Sequence, residues 1–306
     1  MLRRTILAAA RSGRTRQLVS RAPVSRSVVR RFVAGDSLDD ALRVTRQLVD
    51  SGLAASLDHL GEDTTDEAKA KNAASAYLAL LARLSEQELT ESAELSVKLS
   101  AVGLGLDQAM ATEHAQVICE AAAKAGTTVT IDMEDHTTTE AALEVIADLR
   151  PDFPWVGAVL QAYLRRTEAD CRDLAYQGSR VRLCKGAYKE PESVAFQDRI
   201  DVDRSYVRCL NVLIAGPGYP MIATHDPRLL AIAHERTRWY DRAQGTYEYQ
   251  MLYGVRPNEQ VRLVTTGEKV RVYVPFGDEW YGYLMRRLAE RPANIGFFLR
   301  SVVSTG

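Results

Sequence analysis

Residues 128–162 read TVTIDMEDHTTTEAALEVIADLRPDFPWVGAVLQA, and the periods in this stretch decide the fold. Thr128–Met133 is a short apolar run rich in β-branched residues, the pattern of a buried strand. Thr139–Arg150 then carries the amphipathic pattern of a helix, and Trp155–Ala162 is a second β-type run. A strand, a helix and another strand in succession imply a parallel sheet.

The same unit repeats in both directions. Further β-type runs are Ala54–Leu57, Leu95–Leu99, Arg180–Cys184, Pro220–Ala223, Tyr247–Met251 and Val270–Val274. Helical patterns span Ser37–Ser51, Asp66–Leu84, Asp107–Ala125, Arg166–Gln177, Asp201–Ala215, Pro227–Arg238 and Asn258–Thr265. Gly126, Gly178 and Gly267 fall where helices should stop. Eight such units over about 250 residues point to a closed (β/α)8 barrel, with an open doubly wound sheet as the alternative. A barrel places its chemistry at the C-terminal ends of the strands. Those ends carry Glu62, Lys98, Asp132, Gln161, Arg182, Lys185, Thr224, His225, Gln250 and Tyr273, a polar rim that suits a ligand site better than a purely structural one.

The bulk properties are those of an ordinary soluble protein: 306 residues, 46% apolar, 26% charged, net charge −1. That charge argues against a dedicated nucleic-acid binder. Cys119, Cys171, Cys184 and Cys209 lie far apart, without metal-site spacing or a disulfide framework, which points to a reducing compartment. No apolar run approaches the roughly 20 residues of a spanning helix. The first 35 residues hold nine arginines and no acid. They read as a basic helical arm, either solvated or in contact with anionic lipid; a transit-type presequence fits less well. The expected division is a basic arm over residues 1–45 and a barrel over 46–306.

Several constellations on this frame suggest chemistry. On a helix, Tyr283, Arg286, Arg287 and Glu290 share one face, and two planar guanidinium groups beside a ring suit a small carboxylate. Arg182-Leu183-Cys184-Lys185-Gly186-Ala187-Tyr188 puts two cations before a glycine where backbone can approach a phosphate or an electron-rich ring. Thr224 and His225 precede a helix N-terminus whose cap is Asp226 and whose first residue is Pro227. Lys98 sits in a mostly apolar strand and needs a partner, which Asp132 on the next strand could supply; a Schiff-base role, as in barrel aldolases, is the rival reading. Gly103-Leu104-Gly105 and Gly216-Pro217-Gly218 lack the third glycine of a dinucleotide fingerprint. The five histidines are scattered, so no metal site is expected.

Between Phe32 and Phe298 the chain resembles the proline dehydrogenase family, in its small monofunctional bacterial form. The resemblance is carried by Ser56 through Glu62, Val97-Lys98-Leu99-Ser100, Ile131-Asp132-Met133-Glu134, Gln161-Ala162-Tyr163, Arg182 through Tyr188, Ala223-Thr224-His225, Tyr249 through Gly254, Val272-Tyr273-Val274-Pro275 and Tyr283 through Glu290. It implies a distorted barrel with FAD at the C-terminal rim and the last helix over the mouth. It further implies oxidation of L-proline to Δ1-pyrroline-5-carboxylate, with hydride passing to flavin N5 and electrons on to a membrane quinone. The expected location is the cytoplasm, with the basic arm as a candidate peripheral contact to the inner face of the membrane. By position, Arg286, Arg287 and Lys98 would bind the proline carboxylate, and Asp132 would hold that set. Glu62 would pair with Arg286 and gate the site; Tyr273, Leu252, Tyr188 and Tyr283 would enclose the ring. Arg182 would sit at flavin N5, and Gln161 would hydrogen-bond the flavin. Met133, Lys185, Gly186, Ala187, Thr224 and His225 match cofactor contacts, with Glu290 close by. Cys184 departs from the aliphatic residue of many relatives.

Overall fold

The computed structural model describes residues 29–290, with side chains described as far as Arg287. A helix, α1 (Leu38–Asp50), precedes eight strand–helix units. These are β1 (Ala54–His59) with α2 (Glu67–Glu86), β2 (Ala93–Lys98) with α3 (Gln108–Ala125), β3 (Val129–Asp132) with α4 (Thr139–Leu149) and β4 (Gly157–Gln161) with α5 (Thr167–Leu174). They continue as β5 (Arg180–Cys184) with α6 (Arg199–Ala215), β6 (Tyr219–Ala223) with α7 (Pro227–Trp239), β7 (Glu248–Leu252) with α8 (Pro257–Thr265) and β8 (Val270–Phe276) with α9 (Trp280–Glu290). All strand pairs are parallel, and β1 also pairs with β8 from Ala54↔Arg271 to His59↔Phe276. That last pairing closes the barrel and removes the open-sheet alternative.

Local chemistry explains the element limits. The side chains of Asp66, Asp107, Asp198 and Asp226 accept backbone N–H groups in the first turns of α2, α3, α6 and α7. The Asp198 cap starts α6 at Arg199, two residues ahead of the expected Asp201. Gly126 ends α3 at φ +74°, where a side chain is disfavoured. Outward-facing strand residues such as Leu57, Leu95, Val97, Ile131, Val272 and Val274 pack against the helices in one continuous core. Ala41, Leu42 and Val44 of α1 belong to that same core, so the expected division at residue 45 falls inside a helix packed on the barrel.

The barrel interior is polar. Ser56, Glu94, Ser96, Thr130, Arg182, Glu248, Gln250 and Arg271 are buried. Arg180 Nη2 lies 2.5 Å from Glu94 Oε2, and Arg271 Nε donates to Glu248 Oε1 at 2.8 Å. Burial would raise the Glu94 carboxyl, but Arg271, Arg180 and Arg182 outweigh it and hold Glu94 well below the usual carboxylate range. Buried charges persist here because each has an opposite partner.

Candidate active site

The polar filling continues upward into the mouth. Asp132, at the end of β3, accepts from Arg182 Nη1 at 2.6 Å, Ser96 Oγ at 2.7 Å and Tyr273 OH at 2.6 Å. Arg182 also donates Nε to Gln250 Oε1 at 2.5 Å and Nη2 to Ser56 Oγ at 3.1 Å, and its guanidinium carbon lies 5.4 Å from the Tyr273 ring centroid. One carboxylate therefore fixes an arginine from β5 and a tyrosine from β8.

Lys98 does not pair directly with Asp132, although the two are register partners on β2 and β3. Its Nζ donates to Asp58 Oδ2 at 2.5 Å, on the other neighbouring strand, and reaches Tyr273 OH at 3.4 Å. Arg182, Ser96 and Tyr273 already take up the Asp132 oxygens, which leaves the ammonium to Asp58. Burial disfavours the Lys98 charge, but Asp58, Asp132 and Glu62 outweigh it and keep the lysine protonated above its ordinary range. An amine held in that state is a poor nucleophile, which weakens the Schiff-base reading. Lys185 is likewise occupied, with Asp203 at 2.5 Å and Asp226 at 3.0 Å.

Helix α9 brings the arginine pair to this mouth. Arg286 grips Glu62 with both guanidinium arms, Nη1 at 2.8 Å from Oε2 and Nη2 on Oε1. The Arg286 guanidinium also lies 5.3 Å from the Tyr188 ring centroid, and that of Arg287 lies 5.1 Å from the Tyr283 centroid. Burial pushes the Glu62 carboxyl up, yet Arg286, Lys98 and Arg287 together hold it below its usual range. That balance puts three cations from β2 and α9 within electrostatic reach of a single carboxylate. Leu252, at the end of β7, is half-buried.

The remaining expected positions, apart from Glu290, lie at or just past the ends of β3 to β6. Gln161 Nε2 donates to the Glu134 carbonyl at 2.7 Å, which leaves its own side-chain oxygen as an acceptor. Met133 is buried in the main core. Gly186 has φ +104°, and a Cβ there would fall 2.3 Å from the Tyr163 ring, so only glycine fits; Ala187 beside it is half-buried. Thr224 Oγ1 accepts from the Asp226 N–H at 3.1 Å, leaving its hydroxyl hydrogen for another partner. His225 Nε2 accepts from the Leu252 N–H at 2.8 Å, so that nitrogen carries no proton and the ring's donor is Nδ1. The side chain of Glu290 lies outside the described residues. Among the described residues no group of acidic, histidine or cysteine side chains could hold a metal.

Asp58 and Glu134 belong to the mouth but were not singled out in the sequence. Glu134 is buried and accepts from Ser100 N at 3.0 Å and Ser100 Oγ at 2.5 Å; burial raises its carboxyl to about 7. A signal for such residues does exist. Ser56/Asp58, Glu94/Ser96/Lys98, Thr130/Asp132, Arg180/Arg182, Glu248/Gln250 and Arg271/Tyr273 place polar groups at alternate positions of their strands, the period of one sheet face.

Comparison with known proteins gives a consistent result. Residues 41–300 match the family model described as proline dehydrogenase. Proline dehydrogenase 1 of Bacillus subtilis is 37% identical over 274 residues, which are 90% of this chain and 90% of that protein. Proline dehydrogenase 2 of the same organism is 37% identical over 278 residues, 91% of each. Among solved structures, proline utilization A of Bdellovibrio bacteriovorus, inactivated by N-propargylglycine, superposes with a TM-score of 0.80 at 25% identity. The match covers 86% of this chain and 32% of that one, so the chain spans about a third of the larger protein.

Proposed function

The chain belongs to the proline dehydrogenase family, and on that premise we propose that it oxidises L-proline to Δ1-pyrroline-5-carboxylate with bound FAD and passes the electrons to a membrane quinone. The observation that carries this reading is the two-armed grip of Arg286 on Glu62, beside Arg287 and beneath the influence of Lys98. A fork that holds a glutamate carboxylate with two parallel bonds is equally shaped for the carboxylate of an amino acid. Glu62 stands in for that group while the site is free, and substrate displaces it.

The donor set suits FAD. Arg182 is a buried cation at the centre of the mouth, whereas Lys185, Thr224 and His225 offer cationic and neutral donors along one edge of the rim, near the N-terminus of α7. Gly186 lets backbone come close there. When bound, FAD supplies the hydride acceptor at its N5. Everything else falls to the protein. Arg286, Arg287 and Lys98 fix one end of the substrate, so the carbon farthest from the carboxylate is presented to the mouth's centre. Tyr188, Tyr273, Tyr283 and Leu252 enclose the apolar ring and exclude water. Asp132 holds Arg182 and Tyr273 in place, so that the cation faces the developing negative charge without reorganising. The amine reacts in its neutral form.

Purified protein should be yellow, lose its flavin absorbance on addition of proline, and reduce a quinone or dye. A colourless protein that takes up no FAD would refute the assignment.

A further inference from the structure

Glu62 reaches Arg286 from the loop between β1 and α2, and Ser100 holds the middle of that loop. Asp63 N–H donates to Ser100 Oγ, and Thr64 N–H donates to the Ser100 carbonyl, both at 3.2 Å. Ser100 lies two residues past β2 and is buried, as is Glu134 two residues past β3. The Ser100 N–H donates to Glu134 Oε1 at 3.0 Å, and its hydroxyl donates to Oε2 at 2.5 Å. The single hydroxyl hydrogen thus goes to the buried carboxylate, which turns the oxygen's lone pairs to the Asp63 N–H. Asp63 itself is exposed, and its φ of +52° lies in the left-handed region, where a side chain is disfavoured. A residue in that region persists where its surroundings fix it. Here the fixing contacts are the two bonds to Ser100, and the residue they steady directly follows Glu62.

We propose that Ser100, seated on Glu134, is a positioning residue for Glu62, and that its hold on the loop sets how firmly Glu62 opposes the substrate. This rests on the reading of Arg286 as a carboxylate ligand that Glu62 occupies while the site is free. Substrate binds only the fraction of molecules in which Glu62 has left Arg286. A looser loop enlarges that fraction, so affinity for proline rises. A packing or folding defect would lower affinity, so the direction of the change separates positioning from plain structural support.

The test compares two variants that loosen the loop through different atoms. Ser100→Ala removes the acceptor of the Asp63 N–H together with the hydroxyl bond to Glu134. Asp63→Val keeps both and opposes the left-handed conformation from an exposed position, because a β-branched residue is strongly disfavoured there. Asp63→Asn removes the same charge but tolerates that conformation, so it serves as the control. Ser100→Ala and Asp63→Val should each lower KM for proline about three- to tenfold with kcat little changed, and Asp63→Asn should leave KM near the parent value. In a Glu62→Ala background neither variant should shift KM, since there is no carboxylate left to position. Hydrogen exchange of the amides of residues 61–64, read by mass spectrometry, should be faster in both variants than in the parent. Should Ser100→Ala fail to fold, Asp63→Val carries the same comparison. An unchanged or raised KM, or an equal shift with and without Glu62, would overturn the inference; a raised KM in Arg286→Lys would leave the carboxylate reading standing beside that result. If Arg286→Lys leaves KM unchanged, the carboxylate reading fails, and exchange decides the rest: faster exchange in Ser100→Ala supports the positioning of the loop, and unchanged exchange overturns that too.

Discussion

Replacing Arg286 with lysine keeps the charge and removes the fork. The Arg286 side chain is 12% exposed, and its guanidinium makes two parallel charge-assisted bonds to Glu62, a geometry a substrate carboxylate would inherit. An ammonium on a flexible stem can replace one of those bonds but not the pair. Losing one charge-assisted bond at a shielded site costs roughly 1.5–3 kcal/mol, or about ten- to hundredfold in KM for proline. Part of that loss is returned, because lysine also holds Glu62 less tightly and the substrate displaces it more easily. The wild-type background should therefore show the lower end of the range. In a Glu62→Gln background the competitor carries no charge, so Arg286→Lys should show the upper end. Steady-state dye reduction over a range of proline concentrations measures both backgrounds, and thermal melts confirm that each variant is folded. If Arg286→Lys leaves KM and kcat unchanged in both, the carboxylate assignment is wrong.

Three further outcomes follow from other parts of the structure. Asp58→Asn removes the carboxylate 2.5 Å from the buried Lys98 ammonium, and breaking such a pair should cost about 3 kcal/mol in chemical denaturation, with Asp132 and Glu62 limiting the loss; an unaltered denaturation midpoint would show that Asp58 does not support that charge. Glu134 has a folded-state value of about 7 against an ordinary 4.5, so the folded protein keeps a proton that the unfolded chain releases. Its contribution is present below about 4.5 and is lost as pH rises towards about 7, so the stability difference between wild type and Glu134→Gln should change by on the order of 3 kcal/mol over that window, read from denaturation at each pH; parallel pH profiles would contradict it. Removal of residues 1–28, which hold seven of the nine N-terminal arginines, should abolish flotation with anionic liposomes while leaving dye reduction intact; equal flotation would exclude the arm as a membrane contact.

Much of the fold was legible because strand and helix have different periods. All eight β-type runs overlap a strand, and the glycines at 126, 178 and 267 fall at or just beyond helix ends. Element limits moved by a few residues where a side-chain cap decided them, as Asp198 does for α6. The rim was legible too, since the position after each strand is fixed once the strand is. Partner choice was not. Adjacency in register suggested Lys98 with Asp132, but a strand inside a barrel has two neighbours, and the occupancy of Asp132 by Arg182, Ser96 and Tyr273 sent Lys98 to Asp58. A buried carboxylate has few oxygens, and which donors reach them depends on side-chain lengths and on strand stagger.

The sequence by itself determined the eightfold alternation, the polar rim, the arginine pair on one helical face and the resemblance to a known family, because each is written in local period or in short motifs. Only the tertiary structure decided that β8 closes on β1, that the barrel interior is filled by mutually neutralising charges, that Arg286 rests on Glu62, and that Val29, Phe32 and Val33 share a hydrophobic cluster with the last helix. Those are contacts between residues tens to hundreds of positions apart. They are set by which surfaces must leave water together and by which buried charges find a partner, and neither condition can be evaluated until the chain has closed on itself.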